Sequence, residues 1–266
     1  MRSDEHQRPQ PPAAPVPGPE GWSDVLAQLF SPAAGAALAR LGDEQPHCPY
    51  LSERAAVAGA SERRRREFLA GRACAHAALR AIDRDGLPVG RGAMREPLWP
   101  AGVVGSISHA QDLAGAVVAS AAEAWGVGLD IELLEPPLDA AVQRLVLRPG
   151  ELTGPACTRD LGPECAKIAF AAKECVYKCL YPPTRWPLEF QDLAVEIDPD
   201  RCRYRAQVAK RFRLEGDPLP TLDGRFATVG GYVLVGLWIG PEGPVVERRG
   251  RALAAHGISR SGPRKR

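Results

Sequence analysis

The sequence of 266 residues has no apolar run long enough for a membrane span, and its N-terminus lacks the apolar core of a signal peptide. A formal charge of +2 is too small to mark a nucleic-acid protein by bulk electrostatics. The seven cysteines, Cys48, Cys74, Cys157, Cys165, Cys175, Cys179 and Cys202, include no C-x-x-C pair, which argues against a zinc site and against a disulfide framework. Reduced packing thiols and a cytoplasmic location are expected. No G-x-S-x-G elbow accompanies Ser108-His109, so a serine hydrolase is disfavoured. Nor is there a G-x-x-x-x-G-K-[ST] loop, which removes the commonest Mg²⁺-dependent phosphotransferase pattern.

What is present begins at the ends. Residues 1–21 hold six prolines and read as a disordered lead-in. Arg248 to Arg266 carries seven basic and no acidic residues, so 246–266 reads as a flexible basic tail. Between them, a helix is expected from Ser61 to Ile82, with Ser61 as N-cap and Phe68, Ala75, Leu79 and Ile82 on one face. Arg64, Arg65 and Arg72 rim that face, where an arginine either snorkels or meets an anion.

Val103–Ser108 and Leu113–Ala119 read as a hairpin whose turn holds His109. In Ala124–Glu132, Trp125, Val127, Leu129 and Ile131 alternate with Gly126, Gly128, Asp130 and Glu132. The first set is core; the second offers glycines that leave room for a ligand, then two acids on one side. Leu138–Leu147 reads as a short helix, and 148–163 as a loop. Glu164–Leu180 is the strongest helix, ended by Pro182-Pro183, with Ile168, Ala172, Cys175 and Cys179 buried and Glu174 and Lys178 one turn apart elsewhere. Phe190–Ile197, Arg203–Val208 and Gly231–Ile239 complete a sheet. A helix followed by a hairpin thus occurs twice, near 61–119 and near 164–239.

Asp130 and Glu132, with Glu174 from the nearby helix, make a set of hard oxygen donors suited to Mg²⁺, which completes its shell with waters and phosphate oxygens. Glu174 and Lys178 also read as an ordinary i,i+4 pair, and His109 as a satisfied loop histidine.

Together, Gly105-Ser-Ile-Ser-His109, Gly128-Leu-Asp-Ile-Glu132 and Phe170-Ala-Ala-Lys-Glu-x-x-Tyr-Lys178 resemble the motifs of 4′-phosphopantetheinyl transferases of the surfactin type, in the branch of enterobactin synthase component D. Arg64-x-x-x-Phe68-Leu-Ala-Gly-Arg72 and Arg95-Glu-Pro97-Leu-Trp-Pro100 extend the similarity over about residues 50–240. The resemblance implies an α+β fold of two α/β halves related by a pseudo-twofold, 22–123 binding the nucleotide of coenzyme A and 124–245 carrying the metal and catalytic residues. It implies transfer of the phosphopantetheine arm of coenzyme A to a serine of an apo carrier protein with an acidic surface, releasing 3′,5′-ADP, by a monomer that binds no nucleic acid. Siderophore, nonribosomal peptide or polyketide synthesis would be the setting.

Carried over by motif, Asp130, Glu132 and Glu174 hold Mg²⁺ or Mn²⁺. Glu174 and Lys178 are catalytic, with Lys178 and Lys173 contacting coenzyme A, and Asp130 reaching it through the metal. Ser108 and His109 lie near its phosphates, Arg64 and Arg72 hold the ribose 3′-phosphate, and Leu188 lines the pantetheine or carrier side. Where relatives have a lysine ahead of Pro97, this chain has Met94-Arg95-Glu96, and Arg95 takes that part.

Overall fold

The computed structural model describes residues 19–41, 48, 50–152 and 162–244. Two helix-on-sheet layers meet edge to edge. The smaller sheet has the order β1-β5-β4, from β1 (Gly35–Arg40), β4 (Val103–Ala110) and β5 (Leu113–Ser120), all antiparallel. Helix α3 (Glu62–Ala81) lies across it, following α1 (Pro19–Ala27) and the one-turn α2 (Leu51–Ala55). Ser61 caps α3 as expected, its hydroxyl accepting from the Arg64 N–H. The helix buries Ala70, Cys74, Ala75, Ala78 and Leu79 against Val103, Ala114, Ala116 and Val118. Small residues on both surfaces let backbone approach backbone: a side chain at Gly35 would strike the Ala78 carbonyl.

Between α3 and β4 the chain forms a two-strand ribbon, β2 (Gly90–Arg91) with β3 (Pro97–Leu98). The larger sheet has the order β6-β12-β11-β8-β7: β6 (Gly126–Leu133), β7 (Leu193–Asp198), β8 (Arg203–Val208), β11 (Leu222–Val229) and β12 (Tyr232–Ile239). A small ribbon of β9 (Arg213–Leu214) and β10 (Asp217–Pro218) precedes β11. Helix α4 (Ala140–Val146), capped by Asp139, leads towards α5 (Glu164–Thr184), which covers this sheet. Ile168, Ala172, Cys175 and Cys179 form its buried stripe, as their spacing predicts.

Several expectations are corrected. The lead-in expected to reach residue 21 gives way to α1 at Pro19, and α1 buries Trp22 and Leu26; residues 1–18 and the tail from 245 lie outside the described residues, as does 153–161 of the expected loop. Helix α5 runs through Pro182 and Pro183 to Thr184. Prolines are tolerated there because the last turn is closed by the Arg185 N–H on the Tyr181 carbonyl and the Thr184 hydroxyl on the Leu180 carbonyl. His109 sits on β4 and not in the turn, which is Gln111-Asp112. Phe190–Asp192 is a 3₁₀ turn, so β7 starts at Leu193. Cys48, Cys74, Cys175, Cys179 and Cys202 are free thiols, but Cys165 is disulfide-bonded, against the expectation of a wholly reduced set.

The junction between the layers is unusual. β4 and β6 are both edge strands, and they touch without a backbone ladder. Two serines on β4 stand in for one: the Ser106 hydroxyl donates to the Leu129 carbonyl at 3.4 Å, and the Ser108 hydroxyl accepts from the Ile131 N–H at 3.2 Å. On the side away from α3 and α5, Leu113 and Val117 share one core with Leu129, Ile131 and Leu234, closed by Trp22 and Leu26 of α1. The boundary expected between 123 and 124 falls in the turn joining β5 to β6.

Candidate functional site

Asp130 sits at this seam. It is buried, because the face of β6 that carries it packs under α5 and is not open. The glycines of that face serve the helix, not a ligand: a side chain at Gly128 would strike the Cys175 carbonyl, and one at Gly126 would crowd that of Cys179. This corrects the expectation that the glycines leave ligand space. They instead let α5 settle close enough to β6 for Lys178 to reach across.

The Lys178 ammonium donates to Asp130 Oδ1 at 2.5 Å and to Ser108 Oγ at 3.0 Å, while the Ser108 hydroxyl donates to the same Oδ1 at 2.9 Å. Burial would lower the Lys178 pKa, but the facing Asp130 carboxylate outweighs it and holds the amine above its ordinary value. Asp130 Oδ2 is buried and has no hydrogen-bond partner, an orphaned acceptor. Glu132 is pushed up to about 7, first by burial and then by the Asp130 charge, with Glu174 adding to it. Glu174 is raised as well, by burial and by Asp130, against the pull of Lys178.

The three acids therefore share one electrostatic neighbourhood. Among the described residues no three His, Cys, Asp or Glu side chains converge as a closed metal cage. The donor set nevertheless fits a divalent ion: hard oxygens, two carboxyls that resist ionisation without a cation, and one orphaned buried oxygen. Asp130, Glu132 and Glu174 are the residues that would hold it.

The Glu132 shift gives a sign. A carboxyl whose folded pKa is raised stabilises the fold fully below about pH 4.5 and loses that contribution as pH rises through about 7. In chelator, Glu132→Gln is expected to be more stable than the parent at pH 8, by about 1–3 kcal/mol after solvent screening, and equal to it near pH 4.5. Urea melts at both pH values check this; a pH-independent gap removes the shift.

The other expected residues divide. Arg64 Nη1 lies 2.9 Å from His109 Nε2, bringing α3 and β4 together. Arg72 is buried beneath the β2 segment, donating to the Gly90 carbonyl at 2.8 Å with its guanidinium over the Phe68 ring. Burial pushes its pKa down to about 10. Arg95 is exposed, at φ 70°, and lines a cavity of about 190 Å³ with Ile107, Tyr177 and Lys178. Leu188 and Glu174 share a wider apolar groove of about 670 Å³ with Leu145, Tyr177 and Phe190.

Lys173 lines the same groove, but its ammonium is engaged within the protein. It is fully buried and donates to Glu151 Oε2 and the Val146 carbonyl, both at 2.7 Å, and to the Phe190 carbonyl at 3.2 Å. Ser108 is likewise turned to Asp130, on the strand face opposite to its neighbour His109.

Glu53 and Lys167 are among the residues that the sequence does not announce. Glu53 of α2 is buried and accepts from His76, the Cys48 thiol and the Val89 N–H at 2.6–3.0 Å, pinning the segment that Arg72 also holds. Nothing in the spacing of Glu53 and His76 signals that meeting. Lys167 is buried two helical turns before Glu174, and its charge opposes the upward push on Glu132; its i,i+7 spacing to Glu174 was the available signal.

Comparison with known proteins agrees with this geometry. Residues 52–119 match the model of the 4′-phosphopantetheinyl transferase N-terminal domain, and 126–217 that of the 4′-phosphopantetheinyl transferase superfamily. The 4′-phosphopantetheinyl transferase Svp of Streptomyces mobaraensis is 38% identical over 203 residues, 74% of this chain and 76% of that protein. PptT of Mycobacterium tuberculosis is 31% identical over 207 residues, 76% of this chain and 91% of its own. Enterobactin synthase component D of Salmonella typhi is 37% identical over 128 residues, 45% of this chain and 49% of its own. The chain belongs to the 4′-phosphopantetheinyl transferase superfamily, and its two-layer α+β architecture agrees with that membership.

Proposed function

We propose that the chain moves the 4′-phosphopantetheine arm of coenzyme A onto a serine of an apo carrier protein. The observation that carries this reading is the buried Asp130, bonded to Ser108 and Lys178 on one oxygen and orphaned on the other, at the seam of two layers in a chain of this family. A divalent ion, Mg²⁺ or Mn²⁺, held by Asp130, Glu132 and Glu174 would neutralise pyrophosphate charge. Lys178, already drawn to the seam, donates to the transferring phosphoryl oxygens and favours the charge that grows on them. Glu174, whose carboxyl is raised by burial, accepts the proton from the carrier serine Oγ. The Oγ–phosphorus bond forms, the bond to the bridging oxygen breaks, and 3′,5′-ADP leaves with that electron pair.

Arg64 and His109 receive the donor's 3′-phosphate end, with Arg72 and Arg95 on the same nucleotide side. The arm runs into the groove of Leu188 and Glu174; Arg144 and Arg148, on and just after the helix that supplies Leu145 to that groove, are exposed. Those two cations favour an acidic carrier. Both layers of the site come from one chain, which supports a monomer; a cytoplasmic location is proposed on the five free thiols, against the disulfide-bonded Cys165. Among the described residues no helix is long and apolar enough to cross a membrane. Siderophore, nonribosomal peptide or polyketide synthesis is the proposed setting.

Incubation with coenzyme A, Mg²⁺ and a panel of apo carriers tests the reading. A phosphopantetheine mass added to at least one carrier serine is expected; no addition to any of them, with a known transferase labelling the same panel, overturns it.

A further inference from the structure

Glu67 stands where a carboxylate is least expected, beside the groups assigned to a phosphate. It projects from α3 towards β4 with its side chain only 11% exposed. Its Oε1 accepts from Arg63 Nε at 2.9 Å. Its Oε2 lies 3.6 Å from Arg64 Nη1 and 4.0 Å from His109 Nδ1. Because a guanidinium only donates, the 2.9 Å contact between Arg64 Nη1 and His109 Nε2 makes that nitrogen the acceptor. The ring proton then sits on Nδ1, on the side of Glu67. One carboxylate oxygen thus faces both groups and links the helix to the strand.

We propose that Glu67 is a positioning residue for the donor phosphate, holding Arg64 and His109 in the paired geometry that receives it. The inference rests on the reading that these two groups meet the 3′-phosphate of coenzyme A. Arg64 has a side chain 41% exposed, so without an anchor it would sample solvent and lose rotamer entropy on binding. Glu67 meets that ordering cost before the donor arrives, at the expense of its own repulsion of the phosphate.

Those two effects have opposite signs, which makes the proposal testable. Glu67→Gln keeps the side-chain volume and removes the charge. A bystander carboxylate, once neutralised, would let coenzyme A bind more tightly. A positioning carboxylate, once lost, weakens binding: KM for coenzyme A should rise about tenfold, the worth of one charge-assisted contact, with kcat little changed. The preference for coenzyme A over 3′-dephospho-coenzyme A should shrink by the same factor.

The experiment measures carrier labelling with both donors for the parent, Glu67→Gln, Glu67→Asp and Arg63→Ala, with thermal melts to confirm folding. Arg63 is 78% exposed and touches only Oε1, so Arg63→Ala should keep the parent's KM. Partial recovery in Glu67→Asp supports the proposal. An unchanged or lower KM in Glu67→Gln, or an equal rise in Arg63→Ala, overturns it. A parent that labels carriers but does not distinguish the two donors instead removes the 3′-phosphate assignment, and the inference with it.

Discussion

Asp130→Asn is expected to abolish carrier labelling, with a fall of at least about 10²-fold in kcat and a fold that survives. The substitution keeps the volume at the seam and leaves an oxygen able to accept from Ser108 and Lys178. It removes the charge that draws the Lys178 ammonium inwards and the negative oxygen that is now orphaned. Raising Mg²⁺ should restore little, since an amide oxygen is a poorer ligand for a hard cation. Alanine is a less informative change than sequence alone suggests. Asp130 was expected on an open polar face, whereas it is buried beneath α5, so alanine would also strand a lysine charge. Intact-mass labelling with circular dichroism decides the matter; unchanged labelling by Asp130→Asn would defeat the catalytic assignment.

Lys173→Met is expected to act on stability and not on coenzyme A. The motif places this lysine among the donor contacts, but its three protons are taken by Glu151 and two carbonyls in a site with no exposure. Burial pulls its pKa down while Glu151 opposes the fall. Removing the cation leaves Glu151 buried and charged, with its other oxygen still bound to the Val195 N–H. Such a broken buried pair costs about 3–5 kcal/mol. Denaturant melts should show that loss, and the folded fraction should keep its KM for coenzyme A. Adding Glu151→Gln should recover part of the stability, because the stranded charge goes with it. A raised KM with unchanged stability would return Lys173 to the donor site.

Much of this was legible in the sequence because burial in these layers follows simple periods. The stripe of Ile168, Ala172, Cys175 and Cys179 and the cap at Ser61 depend on neighbours within a turn or two. The alternation in 124–132 placed Asp130 and Glu132 on one side of a strand, and they share it. What covers that side was not legible, since the glycines that admit a helix and those that admit a ligand look alike in sequence. β11 was missed because its buried positions include Gly224, fitted under the Tyr204 ring, which carries no hydrophobic signal. α1 was missed because its start was read as part of the lead-in, and β1 because no element was assigned between residues 22 and 60. Glu53, Glu67 and Lys167 each depend on contacts from other segments or on burial that a charged residue does not announce. Lys173 and Glu174 are neighbours in one motif, yet a rotation of about 100° separates a structural strut from a site acid.

Ser106 and Ser108 have a consequence beyond catalysis. With two hydroxyls replacing a ladder, each layer keeps a border of main-chain groups that only the other layer covers. Severing the chain between Ser120 and Gly126 would therefore bare two sticky margins, and the fragments would recombine or clump. One of the two stitches, Ser108, also sets the reactive carboxylate, so covalent continuity and chemical competence meet in that side chain.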